Sequence, residues 1–174
     1  MKRPLFWVPL IVFAGIVILA AMALTRPSDG TIRSQLIDRP LPQFALQPAF
    51  ANRPTATSAS PQAGPRILNI FASWCVPCIA EAPQLLALAR RGVPIDAIAI
   101  RDRPQDIAAF LQRWGDPYRG IGLDNDSRVQ FALGSSGVPE TFVIDGRGVI
   151  RFQHIGPLND GDVETVLRAY EAAR

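Results

Sequence analysis

Cys75 and Cys78 are the only cysteines in this 174-residue chain, and two residues separate them. They lie in Ile67 to Pro83, which reads ILNIFASWCVPCIAEAP. Ile67, Leu68, Ile70 and Phe71 make an apolar run suited to a fully buried strand. Ile79 to Ala82 suit the first turns of a helix. A Cys-X-X-Cys at such a junction places Cys75 at a helix N-terminus, where unpaired amide N–H groups and the helix dipole favour a thiolate. Cys78, one turn on, is close enough to close a disulfide. A purely structural disulfide would close a four-residue loop and constrain little of the unfolded chain. A zinc site needs about four ligands, and the chain offers two Cys and one His. The pair therefore reads as a redox dithiol with Cys75 exposed, working without metal or organic cofactor.

Four further residues are candidates for supporting that chemistry. Glu81 follows Cys78 by three residues, on the same helix face. A carboxylate there can raise thiol pKa values or pass protons; otherwise it is a solvated helix charge. Asn69 interrupts the apolar strand and needs hydrogen-bond partners, which places it behind the disulfide. Pro139, in Gly137-Val138-Pro139-Glu140-Thr141, precedes a strand. A cis bond there would lay backbone against the cysteines, although spacing alone favours an ordinary trans turn. His154, the single histidine, reads as structural.

Elements that must position these residues follow from periodicity. The dithiol helix runs through Leu85, Leu86, Leu88 and Ala89 to Gly92, with Pro83 expected to kink it. Val93 to Ile100 is a second buried strand. Pro104 to Trp114 is a helix with Ile107, Phe110, Leu111 and Trp114 on one face. A short strand over Tyr118 to Leu123 and a short helix over Asp126 to Leu133 follow. Thr141 to Ile144 and Val149 to Ile155 form a hairpin around Asp145-Gly146-Arg147-Gly148. A last helix is capped by Asn159 or Asp160. Leu36 to Leu46 is an extended segment on the domain edge, and Ala51 to Gly64 a loop. The sum is an α/β domain with a mixed sheet.

Leu5 to Leu24 is a 20-residue run without charge, long enough to span a bilayer as a helix. A cleaved signal peptide is the alternative, since Ala21-Met22-Ala23 resembles a cleavage site, but the run exceeds the usual 7–15 residues of such segments. A retained anchor over residues 1–26 is the favoured reading, with a tether over 27–35 and the domain over 36–174, outside the cytoplasm. The sequence pI of about 9.4 does not indicate nucleic-acid binding. From Pro27 onward there are 15 basic and 15 acidic residues, and no basic run occurs.

Trp74-Cys75-Val76-Pro77-Cys78, Pro83 and Val138-Pro139 together resemble the thioredoxin superfamily. The stretches Leu36-Ile37-Asp38-Arg39-Pro40-Leu41-Pro42-Gln43-Phe44, Gly115-Asp116-Pro117-Tyr118 and Gly137 to Asp145 are similar to the CcmG/DsbE family of membrane-anchored thiol:disulfide interchange proteins. That resemblance implies a thioredoxin-like fold, a cis Pro139, and acidic residues Glu81 and Glu140 near the dithiol. It also implies a single-pass protein of the inner membrane of a Gram-negative-type bacterium, facing the periplasm. Its expected substrate is apocytochrome c, whose haem-binding cysteines must be reduced, or a cytochrome c assembly protein. Its expected electron source is a transmembrane thiol-disulfide donor. The chain departs from the family pattern at Ser135-Ser136, where many members carry bulky residues, and in the Pro/Ala-rich stretch after Phe44. Two other functions fit the residues: a general oxidoreductase of the TlpA or ResA kind, and a non-catalytic tethered module that binds apocytochrome.

Overall fold

The central strand is apolar on both faces because it is covered on both. The computed structural model describes residues 7–24, 36–59 and 64–174. It divides into two units, residues 1–32 and 33–174. The first contains α1 (Val8–Leu24), apolar on every side, with Leu10, Ile11, Phe13 and Leu19 exposed. At about 1.5 Å per residue this 17-residue helix is about 25 Å long, short of the roughly 30 Å of a hydrocarbon core. No helix of the described residues is long and apolar enough to cross a membrane. The expected 20-residue span began at Leu5, which lies outside the described residues, as do Phe6, the tether and residues 60–63 of the loop.

The second unit is a six-stranded mixed sheet in the order β1-β4-β3-β2-β5-β6. Its strands are β1 (Gln47–Pro48), β2 (Arg66–Phe71), β3 (Ile95–Ile100), β4 (Gly120–Asp124), β5 (Glu140–Ile144) and β6 (Ile150–Ile155). β2, β3 and β4 run parallel, while β5 and β6 return antiparallel. Helices α2 (Val76–Arg90), α3 (Pro104–Trp114), α4 (Arg128–Ala132) and α5 (Asp160–Ala172) complete the fold. Every residue of β2 and β3 is buried, as a sheet covered on both faces requires. α2 continues through Pro83. Asn159 caps α5 through a capping box with Asp162, so of the two proposed caps the asparagine is used. Trp114 departs from the expected buried face of α3: Ile107, Phe110 and Leu111 are buried, but Trp114 lies at the rim under the Arg113 guanidinium.

Two features are not foreseen from periodicity. The segment after Leu36 hydrogen-bonds to the start of β6, through Asp38 N–H to the Ile150 carbonyl and Leu41 N–H to that of Gly148, both at 2.8 Å. It then reaches the far edge, where β1 pairs with β4. The following loop is pinned by Arg53, whose guanidinium forms two 2.8 Å bonds to Asp116 and a third to the Tyr118 carbonyl. Arg66 is the second surprise. It is buried, donates to the carbonyls of Thr57 and Ser58 at 2.9 and 3.0 Å, and lies 3.5 Å from Asp96. A buried cation is tolerated when paired and hydrogen-bonded.

The loop sits so close to β4 that only glycine fits beneath it. A Cβ on Gly120 would lie 2.9 Å from the Pro54 carbonyl oxygen, a backbone atom that cannot rotate aside. Gly120→Ala is expected to destabilise the domain by about 1–3 kcal/mol through overpacking, read as a lower urea midpoint. An unchanged midpoint would show that the loop yields freely.

Candidate active site

The chain leaves β2 at Phe71 and turns through Ala72, Ser73 and Trp74 into α2. Asp102, just beyond β3, fixes this turn. Its carboxylate accepts the Ser73 N–H at 2.6 Å and the Ser73 hydroxyl at 2.8 Å, and the Arg103 N–H at 2.8 Å. Trp74 Nε1 donates to the Arg101 carbonyl at 3.2 Å. The end of the neighbouring strand therefore sets the shape of the loop presenting Cys75. Sequence reading did not single out Asp102; its only local signal is a carboxylate immediately before the N-terminus of α3.

Cys75 is the N-cap of α2 and its Sγ accepts the Cys78 N–H at 3.1 Å. The two cysteines are joined, with S–S 2.06 Å and Cα–Cα 5.3 Å. Cys75 is not exposed as expected: it is 3% accessible and Cys78 2%. The solvent-facing positions belong instead to Trp74 and Val76, at 57% and 73%, and to Pro77. In the disulfide state the Cys75 sulfur folds back towards the helix N-terminus, so the redox pair lies beneath an exposed apolar rim.

Behind it is a buried polar cluster. Asn69 Nδ2 donates to Glu81 Oε1 at 3.0 Å and to the Thr141 hydroxyl at 3.1 Å, while its Oδ1 accepts the Tyr118 hydroxyl at 2.8 Å. The second oxygen of Glu81 accepts the Leu158 N–H at 3.1 Å. Asn69, Glu81 and Thr141 are fully buried. Burial pushes the Glu81 pKa up to about 7, against the hydrogen bonds from Asn69 and Leu158, which lower it. Glu81 is thus no solvated helix charge. Burial, with the nearby charges of Glu81 and Asp116, raises the Tyr118 phenol well above its ordinary value, keeping it a donor. Tyr118 and Thr141 are the members of this cluster to which sequence reading assigns no role; Tyr118 appears there only in its Asp-Pro-Tyr context and Thr141 only as the start of a strand.

The Val138–Pro139 peptide is cis. The β2–β5 register pairs Ile70 with Glu140, which brings Pro139 to the end of β2 from which the dithiol springs. Glu140 is fully buried, accepting the Ser136 N–H at 3.1 Å and a bond from Gln153 Nε2. Val138 is half-buried against the core. His154 is also half-buried on β6, 3.8 Å from Asp162 and opposite Thr141 in the register.

A thioredoxin-like sheet with Cys-X-X-Cys at the first parallel strand–helix junction defines a thiol:disulfide exchange protein, and comparison with known proteins agrees. The model of the Redoxin family matches residues 37–169. The chain is 35% identical over 165 residues to the thiol:disulfide interchange protein DsbE of Escherichia coli K12, covering 91% of this chain and 89% of that protein. It is 33% identical over 160 residues to HelX of Rhodobacter capsulatus, with 92% and 91% covered. A solved thio-disulfide isomerase from Thermus thermophilus superposes with TM-score 0.63 at 27% identity, over 79% of this chain and 96% of that one. The chain belongs to the Redoxin family and, within it, to the DsbE/CcmG/HelX thiol:disulfide interchange proteins.

Glu81 should leave a signature in stability. Between pH 4.5 and about 7 the folded protein holds a proton on Glu81 that the unfolded chain has released. Stability from this group is therefore full below about pH 4.5 and is lost as pH rises through about 7, by roughly 3 kcal/mol. Urea unfolding of the oxidised protein at pH 4.5, 6 and 8 should show this fall, and Glu81→Gln should flatten it. An equally steep fall in the variant would assign it to other groups.

Proposed function

We propose that this chain is a membrane-tethered dithiol reductant of the periplasm that serves cytochrome c maturation. The observation that carries the reading is similarity to DsbE and HelX over nine-tenths of the chain, far beyond the Cys-X-X-Cys motif. Cys75 as thiolate attacks a partner disulfide, forming a mixed disulfide and releasing one partner thiol. Cys78 then attacks the Cys75 sulfur, freeing the second partner thiol and closing Cys75–Cys78, so two electrons pass to the partner. Glu81 supports the second step. It lies one turn beyond Cys78 with a pKa of about 7, suited to taking the proton Cys78 must lose. Trp74, Val76 and Pro77 offer the exposed apolar contact, and cis-Pro139 with Val138 the facing wall. Asn69 and Glu140 hold these pieces in place.

The substrate is an apocytochrome c with its haem-binding cysteines oxidised, or an assembly protein carrying that disulfide. A transmembrane thiol-disulfide donor returns the electrons. The uncharged run from Leu5 to Leu24, apolar on all sides where described, supports a membrane anchor in this reading, with the domain on the periplasmic side.

Cys78→Ser in cells making c-type cytochromes should accumulate a DTT-sensitive mixed disulfide through Cys75, with an apocytochrome or assembly protein as its partner. Cys75→Ser should accumulate none. If Cys78→Ser captures no such partner, or a Cys75→Ser, Cys78→Ser double variant still supports maturation, the reductant reading fails.

A further inference from the structure

Between the dithiol loop and α3 lies an open groove of about 850 Å³. One wall is Ser73 and Trp74 with Ile79 from the first turns of α2. The other is the side of α3 that carries Arg103, Asp106, Phe110, Arg113 and Trp114, residues whose spacings of three and four share one helix face. We propose that this groove docks an acidic, extended segment of the client polypeptide, adjoining the disulfide that Cys75 attacks. The inference rests on the thiol:disulfide exchange in the reading above, and on neither its cytochrome client nor its membrane anchor.

The charges of the groove are unequally engaged. Asp102 is buried, and its two oxygens are taken by the N–H and hydroxyl of Ser73 and the N–H of Arg103. Asp106 is paired with the Arg103 guanidinium at 2.6 Å. Arg101 and Arg113, both exposed, form no ion pair among the described residues. Arg101 Nε donates to the Ser127 hydroxyl at 3.0 Å, and the Arg113 guanidinium lies 4.9 Å from the Trp114 ring centroid. The place of Arg113 in the last turn of α3 complements the helix dipole, which accounts for it in part. Arg101 is on no helix. It holds a left-handed backbone with φ 46°, a conformation costly for a non-glycine residue and concentrated at functional sites. Its carbonyl accepts the Trp74 indole N–H, so this strained residue sets its guanidinium beside the dithiol loop. Trp114, whose spacing suits the buried face of α3, stays exposed instead and leaves an aromatic surface in the groove.

Two constraints define the occupant. A client disulfide must reach Cys75 beneath Trp74 and Val76, so the chain flanking it passes the head of the groove. Two unpaired guanidinium groups, with apolar surface from Ile79, Phe110 and Trp114 between and beside them, then select carboxylates separated by an apolar side chain. From Arg103 to Arg113 α3 rises about 15 Å, about the reach of four extended residues. In an extended chain residues i, i+2 and i+4 point to one face. The segment that fits carries Glu or Asp at i and i+4, towards Arg101 and Arg113, and an apolar residue at i+2. Guanidinium forks suit such carboxylates through paired hydrogen bonds.

The test uses the full-length chain and synthetic peptides with one internal disulfide, flanked on each side in turn by Glu-Ser-Leu-Ser-Glu or Gln-Ser-Leu-Ser-Gln. Exchange is followed in both directions, from the reduced chain to the peptide disulfide and from the peptide dithiol to the oxidised chain. Each rate is divided by that peptide's exchange rate with dithiothreitol, which removes differences between the peptides' own sulfurs. An exposed ion pair is worth up to about fivefold. The Glu peptide should therefore exchange about tenfold faster at low salt, through KM, on at least one flank. The advantage should vanish in about 1 M salt. Arg101→Gln and Arg113→Gln should each lower the Glu-to-Gln ratio about threefold, and Arg113→Lys should restore part of it. Arg147→Gln, in the β5–β6 turn outside the groove, should leave the ratio unchanged. If Arg101→Gln folds poorly, Arg113→Gln on its exposed helix surface decides the matter. Equal exchange of the two peptides overturns the proposal. So does an equal fall in Arg147→Gln, which assigns the preference to net charge. Loss of the preference to succinate at matched ionic strength overturns it too, by making the groove a small-anion site. Exchange that runs only towards oxidised peptide defeats the reductant reading above, while the Glu-to-Gln ratio still reads the groove.

Discussion

A single asparagine in the middle of a wholly buried strand ties the site together. Asn69 is shut off from bulk solvent, so its amide must find partners inside the protein. It finds them on three other elements: Glu81 on α2, Thr141 on β5 and Tyr118 before β4. Glu81 then reaches the backbone ahead of α5. Each partner is itself buried, so moving any one element strands a polar group in a low-dielectric interior, where an unmade bond is far more damaging than a made one is helpful. The cluster therefore fixes the helix bearing the dithiol relative to both the parallel and the antiparallel halves of the sheet.

The same bonds explain how a carboxylate can be buried here without an arginine. Glu81 accepts from Asn69 and from the Leu158 N–H, but desolvation outweighs both bonds and raises its pKa to about 7. Asp145 contrasts with it. Burial also opposes its charge, yet hydrogen bonds from Val149, Arg151 and Arg147 outweigh burial and lower its pKa. Two acids on one scaffold thus shift in opposite directions, Glu81 upward by desolvation and Asp145 downward by its hydrogen bonds and the Arg151 charge.

Much of this was legible in the sequence because it depends on local pattern. Apolar runs gave β2, β3 and the hairpin to within a few residues, and Asn159 announced the last helix. The cysteine pair and Glu81 stand out by their spacing at the start of a helix, and Asn69 because it interrupts an apolar run. What stayed hidden depends on distant pairing. Asp102 sits 29 residues from the serine it binds, and Tyr118 lies 49 from Asn69. No window of sequence reports either. Burial of Cys75 was missed because a helix N-terminus suggests openness, whereas its neighbours Trp74 and Val76 take the exposed positions. β1 was missed because two residues carry no period.

That two-residue strand has a consequence for how partners can be read. β4 would otherwise offer a free row of amides, the usual invitation for another chain to add itself to a sheet. Gln47 and Pro48 occupy that row, Ala49 and Pro54 take the bonds of Ile121, and a proline has no N–H to pass the ladder on. Recruitment by strand addition along this border is closed. A visiting polypeptide finds no free row of amides at this border, and the exposed contacts beside the sulfurs are instead the side chains of Trp74, Val76 and Pro77.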